Sequence, residues 1–107
     1  MTEPLDIVMN ERLHRFEATL DGETAFADYQ LSPGVLTLPH TVVPAAFAGR
    51  GVGGRLAQAA LGYARAHGLK VKPTCSFMAA YVGKHREWDD VIHEDFRAAP
   101  AGGLTRR

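Results

Sequence analysis

The sequence predicts a small α+β domain with a mixed, mostly antiparallel sheet, two main helices and one strand–helix–strand unit. Residues 12–43 alternate apolar and polar side chains, as half-buried strands do. From Gly53 onward the apolar residues recur with the period of a helix. Because 107 residues suffice for one hydrophobic core, we expect a single domain over residues 5–97, followed by a flexible tail over residues 98–107.

A meander of antiparallel strands is predicted for the first half of the chain. Asp21-Gly22 is a strong signal for a two-residue hairpin, and Ser32-Pro33-Gly34 is a second turn sequence. Pro39 removes a backbone donor from the last strand, so we expect a bulge or a splayed segment near Pro39-His40. The predicted strands are Asp6–Met9, Arg12–Leu20, Thr24–Leu31 and Val35–Val43, and the third places Ala25, Ala27, Tyr29 and Leu31 on one face.

The second half of the chain predicts two helices around one short strand. The first helix begins at Gly53, and Gly68 ends it as a C-terminal cap. Leu69–Lys72 is a brief strand that Pro73 ends. If it pairs in parallel with the strand before the first helix, a right-handed strand–helix–strand unit results. Residues 77–85 suit a second short helix.

The composition narrows the possible functions. Lys plus Arg and Asp plus Glu both total 12, so no charge excess is available to neutralise a nucleic-acid backbone. No stretch approaches the roughly 20 apolar residues of a membrane span, and the N-terminus lacks the order of a signal peptide. We therefore expect no nucleic-acid or membrane partner and a cytoplasmic location, which the single cysteine suits. The five histidines show no zinc-site spacing, so no metal is predicted.

The most informative segment is Gly49-Arg50-Gly51-Val52-Gly53-Gly54, which lies between a β-branched strand and the first helix. Glycines allow successive backbone N–H groups to turn toward one point, and the helix adds the positive end of its dipole there. The segment therefore predicts an anion site that suits a phosphate.

Three phosphate ligands compete for this site. The spacing matches the dinucleotide fingerprint GxGxxG, but the acidic residue needed about 20 positions later is replaced by Lys70-Val71-Lys72-Pro73-Thr74. A nucleotide loop of the Walker type would end in Gly-Lys-Ser/Thr, whereas this one ends in Gly54-Arg55-Leu56. The pyrophosphate of coenzyme A fits best. A glycine-rich turn that only connects a strand to a helix is the remaining alternative.

A series of short motifs resembles one known group in order and spacing. It is similar to the small, single-domain YjdJ-type subgroup of the GNAT superfamily, the acyl-CoA-dependent N-acetyltransferases, over about residues 5–95. The motifs include Asp21-Gly22-Glu23, Ala27-Asp28-Tyr29, His40-Thr41-Val42-Val43-Pro44, Gly49-Arg50-Gly51-Val52-Gly53, Gly68-Leu69-Lys70-Val71, Pro73-Thr74-Cys75-Ser76-Phe77, and Tyr81-Val82 with His85.

The resemblance implies a half-open sheet whose central strands splay apart, with acetyl-CoA as cosubstrate in the gap. It implies that one strand pairs with the pantetheine arm and that loop N–H groups hold the pyrophosphate. The superfamily's loop usually begins with Gln or Arg where this chain has Ala48. With Arg50 or Arg55 as a compensating positive charge, CoA binding is expected to be weakened rather than abolished. The cofactor-binding candidates are Thr41, Val42, Val43, Ala48, Gly49, Arg50, Gly51, Val52, Gly53, Gly54, Arg55, Lys84 and His85.

Three residues are candidates for the chemistry. Cys75 lies where a strand ends and a helix begins, a place that favours thiolate, so it is either a transient acyl acceptor or a group beside the CoA sulfur. His40 follows the predicted bulge and is expected to accept the proton of the amine. Tyr81 is expected to donate a proton to the departing thiolate, as the resemblance implies. Each also has a structural interpretation: a buried thiol, a histidine bonded to backbone, and a core tyrosine.

The predicted function is acetyl transfer from acetyl-CoA to an amine of unknown identity, on a small molecule or a protein. The alternative is a non-catalytic module that binds or senses acetyl-CoA or CoA. Release of CoA that accelerates with an amine would separate the enzyme from the binding module.

Overall fold

In the computed structural model, which describes residues 6–96, five strands lie in one sheet in the order of the chain. The first four are antiparallel neighbours, and the fifth pairs in parallel with the fourth. The tail predicted over residues 98–107 lies outside the described residues. The elements are β1 (Val8–Asn10), β2 (Arg15–Leu20), β3 (Glu23–Ser32), β4 (Val35–Val42), α1 (Val52–Ala66), β5 (Lys70–Lys72) and α2 (Ser76–Lys84), with 3-10 helices at Ala45–Phe47, Arg86–Val91 and Glu94–Phe96.

The hairpin between β2 and β3 confirms the predicted two-residue turn. Leu20 lies opposite Glu23, and Asp21 and Gly22 between them have φ angles of 51° and 81°. Positive φ at both central residues is the geometry that twists in the same sense as the flanking strands. The turn therefore fixes which residues of β2 and β3 share a face.

A bulge interrupts the pairing of β3 with β4, as predicted near Pro39-His40. Asp28 lies opposite His40, but Gln30 lies opposite Thr37, so Tyr29 alone faces both Leu38 and Pro39. Pro39 has no N–H to give to a ladder, which explains why the extra residue is placed there.

One face of the sheet packs against α1. The predicted face of β3 is correct, although Leu31, at the end of the strand, is 51% exposed. The helix ends as predicted: Gly68 has a φ of 68°, and the Leu69 N–H donates to the Ala64 carbonyl at 2.8 Å, which forms a Schellman cap. Buried on this face are Ala25, Ala27, Tyr29 and Leu36 of the sheet and Leu56, Ala57, Ala60, Leu61 and Ala64 of α1.

The other face of the sheet is open. Asp28 and His40 lie on it as a cross-strand pair, and so do Phe26 and Val42. All four side chains are half-buried or exposed. The Arg15 guanidinium lies 4.3 Å from the centroid of the Phe26 ring on the same face. The sheet therefore separates a side covered by α1 from a side that solvent reaches.

An ion pair and a cation–π contact connect α1 to the segment that follows α2. Arg65 forms an ion pair with Asp90 and lies 4.4 Å from the ring centroid of Trp88. The hydrogen bond from Arg65 lowers the pKa of Asp90. The chain then returns to β5, where the His93 N–H donates to the Val71 carbonyl at 2.9 Å. No helix between residues 6 and 96 is long and apolar enough to cross a membrane.

Candidate active site

The sheet splays between β4 and β5. Along β4, the residues that pair with β5 are Val35, Leu36 and Thr37 only. Beyond them, the Leu38 carbonyl accepts the Cys75 N–H at 3.1 Å and the Thr74 hydroxyl at 3.3 Å. From Pro39 to Val42, no strand among the described residues pairs with this edge of β4. The edge thus offers backbone groups to a ligand that lies along it, and it includes the candidates Thr41 and Val42.

The glycine loop leads into the uncapped N-terminus of α1. Gly49 and Gly51 have φ angles of 76° and 66°, a left-handed conformation that favours glycine. Gly51 is the N-cap of α1, no side chain accepts a hydrogen bond there, and the first turn of this fully described helix has no acidic residue. The free N–H groups and the positive end of the helix dipole therefore suit an anion.

Positive charge accompanies these N–H groups. Arg50 is exposed in the loop and Arg55 is half-buried in the first turn of α1, and neither forms an ion pair within residues 6–96. Lys84, the last residue of α2, is exposed, and His85 follows it half-buried. Ala48, exposed before the loop, adds no charge. The two arginines are thus available to a phosphate.

α2 lies against the start of α1 through two aromatic rings. A Cβ atom at Gly53 would lie 2.7 Å from Cζ of Phe77, and one at Gly54 would lie 3.6 Å from Cε1 of Tyr81. Tyr81 is 9% exposed and stacks on His85 with 4.1 Å between ring centroids. Its hydroxyl makes no hydrogen bond with any side chain or backbone group from residue 6 to residue 96, so it has a proton to offer.

Cys75 joins α2 to the splayed edge of β4. Its Sγ accepts the Met78 N–H at 3.4 Å as the N-cap of α2, and it lies 3.3 Å from Oγ1 of Thr41. The thiol is half-buried. A thiol in this position lies where β4 and α2 diverge, beside any ligand that pairs with the free edge.

His40 lies on the other side of β4. Its side chain is 74% exposed, and Nδ1 is 3.8 Å from Oδ2 of Asp28 on the open face. Alternation along a strand directs the Thr41 side chain to the opposite face. Thr41, which contacts Cys75, and His40 therefore lie on opposite faces of β4.

The structure brings some of the candidates together and separates others. Thr41 and Cys75 are in contact, and Gly53 and Gly54 adjoin α2 through Phe77 and Tyr81. Phe77 was not among the predicted site residues, because its 39% exposure beside the glycine start of α1 shows only in the structure. No group of three His, Cys, Asp or Glu side chains suited to a metal occurs within residues 6–96.

Comparisons with known proteins agree with this architecture. The family model described as GCN5-related N-acetyl-transferase matches residues 15–91. Protein NATD1 of Homo sapiens is 33% identical over 82 residues, which cover 74% of this chain and 73% of that protein. Protein NATD1 of Gallus gallus is 32% identical over 82 residues, 74% of each chain. The solution NMR structure of a GCN5-like protein from Staphylococcus aureus has a TM-score of 0.69 and 28% identity, and the match covers 83% of this chain and 88% of that one.

The position of Cys75 predicts that CoA shields it. Iodoacetamide should modify the protein at Cys75, the single cysteine of the sequence. If the bound form is inert, CoA at 100 times its dissociation constant should slow the reaction roughly 100-fold. The modification rate is measured by intact mass. Adenosine 3′,5′-bisphosphate, which lacks the pantetheine arm, serves as the control ligand and should give no protection. Equal modification rates with and without saturating CoA would place the thiol away from the pantetheine arm.

Proposed function

This chain belongs to the family of GCN5-related N-acetyltransferases, and we propose that it transfers an acetyl group from acetyl-CoA to an amine. The observation that carries the proposal is that two sets of backbone groups beside α2 lack hydrogen-bond partners within residues 6–96. One is the unpaired edge of β4, which Cys75 contacts, and the other is the uncapped start of α1, which Phe77 and Tyr81 contact. An elongated ligand with a phosphate at one end would satisfy both.

The residues present fit acetyl-CoA. The N–H groups at Gly51–Gly54 suit its pyrophosphate, and Arg50 and Arg55 suit the remaining phosphate charge. The backbone of Thr41, Val42 and the following Val43 suits the amides of the pantetheine arm. The exposed apolar side chains of Val42, Val43 and Phe77 offer contact area to its alkyl segments.

When bound, acetyl-CoA supplies an activated acetyl thioester. In the reaction a bond forms from the acceptor nitrogen to the acetyl carbon and the bond from that carbon to sulfur breaks. We assign the proton lost by the nitrogen to a ring nitrogen of His40, and the proton gained by sulfur to the hydroxyl of Tyr81. Cys75 lines the gap in a direct transfer, because its sulfur already accepts the Met78 N–H. An acetyl adduct on Cys75 after incubation with acetyl-CoA alone would instead identify a covalent route.

A module that binds acetyl-CoA without catalysis is the second candidate. Ala48 favours it, because that position carries no charged or amide side chain toward the phosphates. The assignment to the YjdJ-type subgroup, the acceptor and the cytoplasmic location are also part of the proposal and stay predictions.

Gly54→Glu tests the cofactor site. Gly54 is the third residue of α1. A Cβ atom added at this position would make only an ordinary van der Waals contact with the ring of Tyr81. Glu at this position favours the helix of the free protein but places a negative charge where the pyrophosphate is proposed. CoA at 100 times its dissociation constant should stabilise the parent by about 2.7 kcal/mol, which is several degrees in melting temperature. Thermal melts should show that Gly54→Glu loses this shift.

Gly62→Glu is the matched control on the same helix. Within residues 6–96, a Cβ at Gly62 would have no atom within 4 Å apart from the neighbouring backbone of its own helix, so the same substitution adds the same charge away from the loop. Its CoA shift should equal that of the parent. A full CoA shift in Gly54→Glu would mean that the phosphate lies elsewhere.

Tyr81→Phe tests the proposed proton donor. Because the hydroxyl has no hydrogen-bond partner within the described chain, its removal should leave the melting temperature and the CoA shift unchanged. The rate of thiol release from acetyl-CoA with a panel of primary amines should fall by about 10²-fold. Tyr63→Phe, which removes the hydroxyl of a half-buried tyrosine on α1, should retain the parent rate. Parent-like turnover in Tyr81→Phe would exclude the assigned role.

A further inference from the structure

A cavity of about 290 Å³ opens at the bulge of β4. It lies between the turn that joins β1 to β2, the middle of β3 and the bulged residues of β4. Leu13 and His14 contribute from the turn, Asp28 and Tyr29 from β3, and Pro39 and His40 from β4. The bulge therefore borders both this cavity and, through Leu38, the splay between β4 and β5.

The turn that forms one wall of the cavity is fixed by hydrogen bonds. The Leu13 N–H donates to Oδ1 of Asn10 at 3.1 Å. His14 has a left-handed φ of 57°, and its carbonyl accepts the Tyr29 N–H at 2.9 Å. A non-glycine residue in this conformation is uncommon and has to be held by its surroundings. The wall is thus a defined part of the fold.

The cavity has one carboxylate, that of Asp28, in a lining to which His14, Gln30 and His40 add polar surface. The Asp28 side chain is 36% exposed, and within residues 6–96 its ion pair is with His40 alone, at 3.8 Å. Leu13 and Pro39 supply apolar surface. Burial raises the pKa of Tyr29, with further contributions from Glu11 and Tyr63, so its ring stays neutral near pH 7. A carboxylate next to the apolar surface of Leu13 and Pro39 suits an alkyl chain that ends in an ammonium group and repels a second carboxylate.

We propose that this cavity is the acceptor site and that it takes a small primary alkylamine without a carboxylate, which Asp28 holds as the ammonium. The assignment rests on the proposed function, because it places the amine on the open face of β4 and the thioester in the splay. The held ammonium first loses one proton to solvent, and His40, which lies on the same face, accepts the second proton as the C–N bond forms. A cavity of about 290 Å³ lies at the small end of the range of ligand pockets, which suits a short chain.

Binding of n-butylammonium tests the site without acetyl-CoA. In ¹⁵N-labelled protein we expect its titration to shift the amide resonances of His14, Asp28 and His40, whereas butyrate at the same concentration leaves them in place. Asp28→Asn should weaken n-butylammonium binding at least about tenfold, since a hydrogen bond to a charged group is lost. Glu23→Gln removes a carboxylate from the exposed start of the same strand and should bind like the parent.

Turnover provides a second measure of the same selectivity. The parent should use n-butylamine at least about tenfold better in kcat/KM than 4-aminobutanoate, and Asp28→Asn should bring the two within about twofold, mainly through KM. Amide shifts that cluster away from the bulge, or n-butylammonium binding unchanged in Asp28→Asn, would overturn the assignment. If n-butylammonium binds as described but CoA does not stabilise the protein, the proposed function fails and the cavity remains an alkylammonium site.

Discussion

The early end of pairing between β4 and β5 is the constraint on which the rest of the site depends. Pro73 ends β5 after three residues, just beyond its last contact with β4 at Thr37. The Leu38 carbonyl takes the Cys75 N–H instead of a strand partner. The end of β5 at Pro73 thus leaves this edge of β4 free, and the proposed pantetheine arm would pair with that free edge.

The start of α1 is the second feature, after the free edge of β4, on which the proposed cofactor site depends. A helix N-terminus usually satisfies its N–H groups with a side-chain cap, but here Gly51 occupies the cap position and provides none. Leaving donors without partners costs stability unless water or a ligand takes them. Because α2 contacts both this helix start and β4, one short helix holds the two ends of the proposed cofactor site in a fixed relation.

Local signals predicted most of the fold and part of the site. The hairpin at Asp21-Gly22, the bulge at Pro39 and the glycine start of α1 follow from the conformations that glycine and proline allow, so they needed no knowledge of tertiary contacts. The cavity at Asp28 was not predicted, because it depends on the left-handed His14 and on three segments that meet only in the folded chain. The sequence also could not show that the Tyr81 hydroxyl has no hydrogen-bond partner within residues 6–96, since partners are seen only in three dimensions.

Amide shifts in ¹⁵N-labelled protein titrated with CoA test most directly whether the splayed edge and the helix start form one cofactor site. The account predicts that the resonances of Thr41–Val43 and of Gly49–Gly54 move together and saturate with one dissociation constant. Resonances of Glu23 and Thr24, at the far end of β3 from the bulge, should stay in place. Shifts that are confined to one of the two segments, or that saturate at different CoA concentrations, would contradict a single site.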